Sequence, residues 1–264
     1  MRSLLESLVQ GIISGDIEVI DLAQPLNEQT PVIQLPEPFA NPAGFKYHKL
    51  SDYDEAGPAW YWNDFTAGEH VGTHFDTPNH WISGRGKDGV DTMPVQNMIG
   101  EACVINVKDQ CADNPDYLLT VDDILSYELS YGRIPERAWV ILYTGWGEYA
   151  QNPEQFFNIG EDGMPHTPGF TMEASKFLAY ERKVLGAGVE TVGTDAGIAG
   201  SFDVPFPSHH YMHEVNRYGL AQLANVHLLP ARGAVIIATP LKITGGSGSP
   251  IRPIALVPAK RVVE

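Results

Sequence analysis

The sequence predicts a single domain of the α/β or α+β class, in which mixed strands alternate with a few helices. Three observations carry this. Two short apolar runs, residues 102–107 (ACVINV) and 138–143 (AWVILY), have the length and composition of strands buried on both faces. Helical patterns fall between and after them, at residues 121–131 and 171–182. At 264 residues with 43% hydrophobic content, the chain can bury a substantial core, yet it is long for one domain and short for two. No repeat, low-complexity tract or clean linker divides it, so residues 1–264 are read as one domain with a short helix inside residues 1–16.

In order along the chain, Leu4, Leu5, Leu8, Ile12 and Ile13 fall at helical spacing and Gly15 supplies a stop, so residues 3–13 form an amphipathic helix. Its apolar face needs either its own domain or a partner subunit to cover it. Residues 18–22 (EVIDL) read as a strand, and the prolines at 25, 31, 36, 38 and 42 make the next stretch a loop. Residues 59–65 (AWYWNDF) alternate as a strand with Trp60 and Trp62 on one face. Residues 83–91 are a Gly-rich charged loop that matches no phosphate-binding pattern. Residues 116–119 are a link, and residues 121–131 are a helix capped by Thr120, with Asp122 and Asp123 in its first turn. The helix over 171–182 places Glu173 near its start and Lys176 and Arg182 near its end, as the macrodipole favours. Residues 189–192, 234–238 and 251–257 complete the strands, the last after a Gly/Ser turn at 245–249. Pattern alone leaves the topology open.

The formal net charge of −16 opposes binding to nucleic acid or to an anionic membrane surface, which leaves a neutral small molecule as the easier partner. Cys103 and Cys111 show neither CxxC spacing nor a disulfide framework. The first 16 residues lack the continuous apolar core of a signal peptide, and no run approaches a membrane span. A reduced, cytoplasmic protein is expected.

Chemistry concentrates in residues 66–81, TAGEHVGTHFDTPNHW. Counted in twos, His70, Gly72, His74 and Asp76 are in register, so an extended segment would aim both imidazoles and the carboxylate at one face. A helix would pair His70 with His74 but turn Asp76 away, and Gly72, Val71, Thr73 and Pro78 disfavour it. Two histidines and one carboxylate leave coordination positions open, the pattern of a catalytic metal rather than a closed structural one. The competing reading is a chance cluster on a solvated turn. Trp60, Trp62 and Trp81 flank the cluster, and either pack in the core or form a flat apolar slot for an aromatic substrate. Later, residues 205–210 (PFPSHH) offer Ser208 as an N-cap, with His209 and His213 on one helical face.

HVGTHFDTPNH (residues 70–80) resembles the signature of the cyclase family of metal-dependent hydrolases, which includes bacterial arylformamidases and isatin hydrolases. The resemblance implies a swivelling β/β/α fold, a central β-structure flanked by helices, usually assembled as homodimers or higher homo-oligomers. It implies that His70, His74 and Asp76 bind metal and that His80 donates and accepts the proton. Arylformamidases hold substrate with an early Trp, and none stands at residues 32–34. They also bring a second-metal His from a segment like 205–210 and, twelve positions later, a Glu contacting both metals. Twelve after His210 is Gln222. A neutral amide cannot offset a second divalent charge as a bridging carboxylate can, so one metal per chain is expected. Residues 219–225, WISG after His80 and the tail TPLKITGGSGSP resemble the isatin hydrolase branch more closely. That branch implies Mn²⁺, with Zn²⁺ as the alternative, Gln222 beside the metal, and His210 at the substrate, or His209 if the register slips by one. The implied reaction is hydrolysis of a lactam in a small neutral aromatic compound, isatin to isatinate, by a metal-activated water. Formamidase or other lactone and lactam hydrolysis is the alternative, and a non-enzymatic metal-binding protein, which would not need His80, is the third.

Overall fold

A computed structural model describes residues 3–259. Helix α1 (Leu4–Ser14) starts at a capping box in which Ser3 and Glu6 satisfy each other's backbone N–H groups, and it stops at Gly15, whose φ of 79° is left-handed. None of its residues is buried, so its apolar face is open. Strand β1 (Ile17–Asp21) comes next, then the loop through the prolines. Strands β2 (Lys46–Asp52) and β3 (Tyr61–Thr66) form a separate hairpin, and β4 (His74–Asp76) is three residues long. The rest runs β5 (Ile99–Asn106), α2 (Lys108–Asp113), β6 (Leu118–Leu119), α3 (Val121–Tyr131), β7 (Trp139–Tyr143), α4 (Pro153–Phe157), β8 (Gly169–Phe170), α5 (Met172–Lys176) and β9 (Gly186–Val189). It closes with α6 (Pro207–Glu214), β10 (Tyr218–Ala221), β11 (Arg232–Ile237), β12 (Gly248–Pro250) and β13 (Ile254–Pro258).

Nine strands make one sheet in the order β1-β13-β11-β5-β7-β9-β10-β4-β12. The middle strands β5, β7, β9 and β10 are parallel, and every other pairing in the sheet is antiparallel. The parallel strands are apolar where both faces are covered, as at residues 102–105 of β5 and 139–142 of β7. Val140 and Leu142 of β7 join a core with Ile124 and Leu178, whereas Trp139 and Ile141 join the opposite core with Phe75, Tyr218 and Leu220. The mixed α/β class expected from the sequence is the one observed.

Several local expectations need correction. The extended segment through His70 is not a strand, because Gly72 takes φ +64° and breaks it, and only His74–Asp76 pair in the sheet. The helix over 171–182 is α5 followed by a π-helical turn, Phe177–Arg182. The strand placed at 189–192 ends at Val189, since its pairing with β10 starts back at Gly186. Part of the Gly/Ser turn at 245–249 is β12, drawn into the sheet by β4. Ser208 is not an N-cap: Phe206 occupies that position with φ 55°, and Pro207 opens the helix.

Candidate metal centre

Strand β4 presents His74 and Asp76 on one face, at positions two apart. Its neighbours face Asp76 with glycines, Gly219 and Gly248, and face His74 with Ala221 and Pro250. The space is needed. A Cβ on Gly219 would lie 2.7 Å from Asp76 Oδ2, and one on Gly248 would lie 2.5 Å from His70 Cε1. His70 reaches the same place from the turn ahead of β4, and ligand atoms of His70, His74 and Asp76 all lie within 4.8 Å of one another. The sequence-predicted trio therefore meets, though through a bend rather than along one strand.

Proton counting tests whether a cation fits. His74 Nδ1 lies 2.7 Å from the Gly72 carbonyl, which can only accept, so Nδ1 carries the proton and Nε2 turns its lone pair toward Asp76 Oδ1 at 3.3 Å. His70 Nδ1 is 2.7 Å from the same Oδ1, and its Nε2 is 3.0 Å from Ser247 Oγ. Asp76 Oδ2 is buried without a hydrogen-bond partner. Imidazole nitrogens converging on one buried carboxylate require positive charge between them, from bound protons or from a metal, and the donor set suits a divalent cation. Burial opposes charge on His74 and Asp76, but their pairing wins, so His74 is held above its usual range and Asp76 well below.

Gln222 stands one residue beyond Ala221, the sheet partner of His74, at φ 53°. Its backbone carbonyl accepts from Thr73 Oγ1 at 2.6 Å, and its side-chain Oε1 is buried with no hydrogen-bond partner. His80 ends a 3₁₀ turn opened by Pro78, and its ring stacks on His70 with centroids 3.8 Å apart. Burial, then the neighbouring His70, His209 and His213, push the His80 pKa down to about 2, which leaves the ring neutral.

Across from His80 lies α6. Its register turns His209 and His213 inward, with ring centroids 5.6 and 6.3 Å from His80. His210 points elsewhere: its ring packs on Tyr211 and its carbonyl accepts from Ser83 Oγ at 2.7 Å. The α6 histidine that faces the cluster is therefore His209, the alternative to His210 that the sequence left open. Asp195 fixes His209, with Oδ2 2.5 Å from Nδ1, while its two oxygens accept the backbone N–H groups of Ser208 and His209. His209 Nε2 is thereby directed at Asp76 Oδ2, 3.9 Å away. Nothing in the local sequence around Asp195 signals this role.

Of the three tryptophans, only Trp81 joins the cluster, 4.9 Å from His209 and 5.5 Å from Phe206 between centroids. Trp60 and Trp62 pack on each other at the β2–β3 hairpin, 47% and 57% exposed, and make no ring contact with the histidines. A cavity of about 610 Å³ is lined by Leu26, Phe65, Leu241, Ile243 and Ile251 and reaches Glu69, the residue before His70.

A model of the Cyclase family matches residues 20–196. An isatin hydrolase of Roseibium aggregatum is 45% identical over 260 residues, 97% of this chain and 98% of its own length. A crystal structure of an isatin hydrolase bound to the product analogue thioisatinate aligns with a TM-score of 0.95 at 44% identity, over 98% of this chain and 100% of that one. A kynurenine formamidase of Salinibacter ruber is more distant, 27% identical over 191 residues, 70% of this chain and 74% of its own. The family match takes in the whole ligand turn and β4 and runs on to Ala196, beside the aspartate that fixes His209, so the chain belongs to the cyclase family of metal-dependent hydrolases.

Proposed function

We propose that this enzyme opens the lactam of isatin, or of a closely similar small neutral aromatic compound, to the ring-opened amino acid. The observation that carries the reading is the convergence of His70, His74 and Asp76 with His80 stacked beside them, in a chain 45% identical over nearly its full length to an isatin hydrolase. His70, His74 and Asp76 would hold one divalent cation, with Gln222 Oε1 as a neutral oxygen beside them. Mn²⁺ suits this mixture of imidazole, carboxylate and amide, and Zn²⁺ is the alternative. When bound, the cation polarises the amide carbonyl and lowers the pKa of water from 15.7 toward about 7.

The chain's own groups move the protons. His80 takes one from the attacking water and gives it to the departing ring nitrogen as the C–N bond breaks, so that the water oxygen and its second hydrogen end on the new carboxyl group, which then ionises, and the first hydrogen ends on the amine. His209, held by Asp195, hydrogen-bonds the oxygen on which negative charge develops. Trp81 supplies an aromatic wall, and Trp60 and Trp62 could join it only from the exposed hairpin. That hairpin and α1 leave Trp60, Trp62, Leu4, Leu5 and Ile13 exposed, which supports a homo-oligomer that covers them. Free, buried Cys103 and Cys111 support a reducing, cytoplasmic setting.

Chelated protein reloaded with Mn²⁺ or Zn²⁺ and assayed on isatin beside a formylated aniline tests the proposal. Isatin turnover that requires metal is expected. Turnover confined to the formanilide would favour the formamidase reading, and no turnover of either with tight metal binding would favour a binding protein.

A further inference from the structure

The Ser247 hydroxyl has a single proton and two neighbours. Its Oγ lies 2.6 Å from Glu69 Oε2 and 3.0 Å from His70 Nε2, and the Ser247 backbone N–H donates to the same Glu69 oxygen at 2.9 Å. A carboxylate only accepts, so the hydroxyl proton goes to Glu69. Oγ is then left with lone pairs alone, and His70 must present Nε2–H to it. The other ring nitrogen, Nδ1, keeps its lone pair and faces Asp76 Oδ1 at 2.7 Å. Gly248 completes the arrangement, because only a residue without Cβ lets the backbone after Ser247 lie against the His70 ring.

We propose that Glu69 and Ser247 are positioning residues for the metal: they fix the tautomer of His70 and so decide that Nδ1 is the nitrogen offered to the cation. The inference rests on the metal-site reading above. Neither residue belongs to the His70–Asp76 ligand set, and they come from opposite ends of the chain, 178 positions apart. Partners that orient a ligating histidine in this way typically contribute about 10- to 100-fold in metal affinity. Glu69 also lines the 610 Å³ cavity.

The test measures divalent-metal affinity of the full chain by competition with a chromogenic chelator, with the unfolding midpoint of the metal-free protein as a check of folding. Ser247→Ala should bind metal about 10- to 100-fold more weakly, and Ser247→Thr, which keeps the hydroxyl, should remain near the parent. Glu69→Gln should weaken binding too, because an amide can donate to Oγ and release the hydroxyl proton toward His70 Nε2. The double variant should be no worse than Ser247→Ala alone, since the two residues act in series. Long-range ¹⁵N–¹H correlations on the Zn²⁺-loaded parent should place the His70 proton on Nε2, and a proton on Nδ1 would overturn the proposal. Parent-like affinity in a folded Ser247→Ala protein, or equal losses for Ala and Thr, would also overturn it. If Ser247→Ala does not fold, parent-like affinity in Glu69→Gln overturns it instead. A parent chain that binds no divalent cation overturns this inference together with the metal reading, whereas failure of the variants alone leaves that reading standing.

Discussion

His80 touches the ligand set through His70 without joining it, and that separation is measurable. His80→Ala should lower kcat by about 10²- to 10⁴-fold while metal content stays near one ion per chain, because what is lost is proton transfer. His70→Ala or Asp76→Ala should lose metal and activity together, as metal analysis beside steady-state kinetics will show. Gln222→Glu places a carboxylate where a buried amide oxygen has no partner. Beside a cation the new charge should tighten metal binding and reduce lactam hydrolysis; away from one it would be an unpaired buried anion, read as lost stability. Unchanged metal content and turnover in a folded variant would remove Gln222 from the centre. Residue chemistry was legible where it is local: His70, His74, Asp76 and His80 lie within one short motif, and pattern sufficed to group the first three. His209 and His213 share a helical face by their spacing of four, whereas the twelve-residue count back from Gln222 points to His210, and adjacent residues of a helix differ in direction by about 100°. Ser247 could not be read at all, since nothing in a Gly/Ser turn announces a histidine 177 positions earlier.

Helices α1 and α3 were legible because their signals are local: apolar spacing and the Gly15 stop for α1, and the Thr120 cap for α3. Thr120 accepts from the Asp123 backbone N–H and Asp123 returns the bond, a closed local box. Thr120→Ala should therefore cost about 1 kcal/mol in urea unfolding, with little change in turnover. Helix α6 is different: its N-terminal N–H groups are satisfied by Asp195, 13 and 14 residues upstream, a cap that pattern cannot reveal. Asp195→Ala removes that cap and frees the His209 ring at once. It should lower both the unfolding midpoint and kcat, whereas Asp195→Asn, which still offers one acceptor oxygen, should recover more of the midpoint than of kcat. Equal recovery of both would leave His209 without a dependence on the carboxylate. Strand β4 was overestimated for the same kind of reason. Alternation extended it back to His70, but Gly72 at φ +64° breaks the extended run, and a left-handed glycine cannot be told by spacing from one within a strand.

Molecular stability should carry a pH signature away from the metal centre. His166 sits between Asp116, 2.6 Å from Nδ1, and Asp162, 3.2 Å from Nε2, and these hydrogen bonds raise its pKa above 6.5. A raised folded-state pKa contributes stability that is fully present below pH 6.5, while the aspartates remain ionised, and is lost as pH rises through the raised value. The midpoint deficit of His166→Asn relative to the parent should accordingly be largest in mildly acidic buffer and shrink toward alkaline pH; a deficit independent of pH would assign His166 a packing role only. The strands of the sheet were visible as apolar runs, but their order was not, because pairing is decided by contacts between residues far apart in the chain. That order has a consequence for synthesis. β4 lies between β10 and β12, so the ligands at residues 70–76 leave the ribosome long before either neighbour exists. A nascent chain arrested at residue 240 holds the complete ligand motif but neither β12 nor Ser247, and it should retain no divalent cation after buffer exchange, whereas the released full-length chain should. Metal capture is then among the last events of maturation, sealing a finished sheet rather than seeding it.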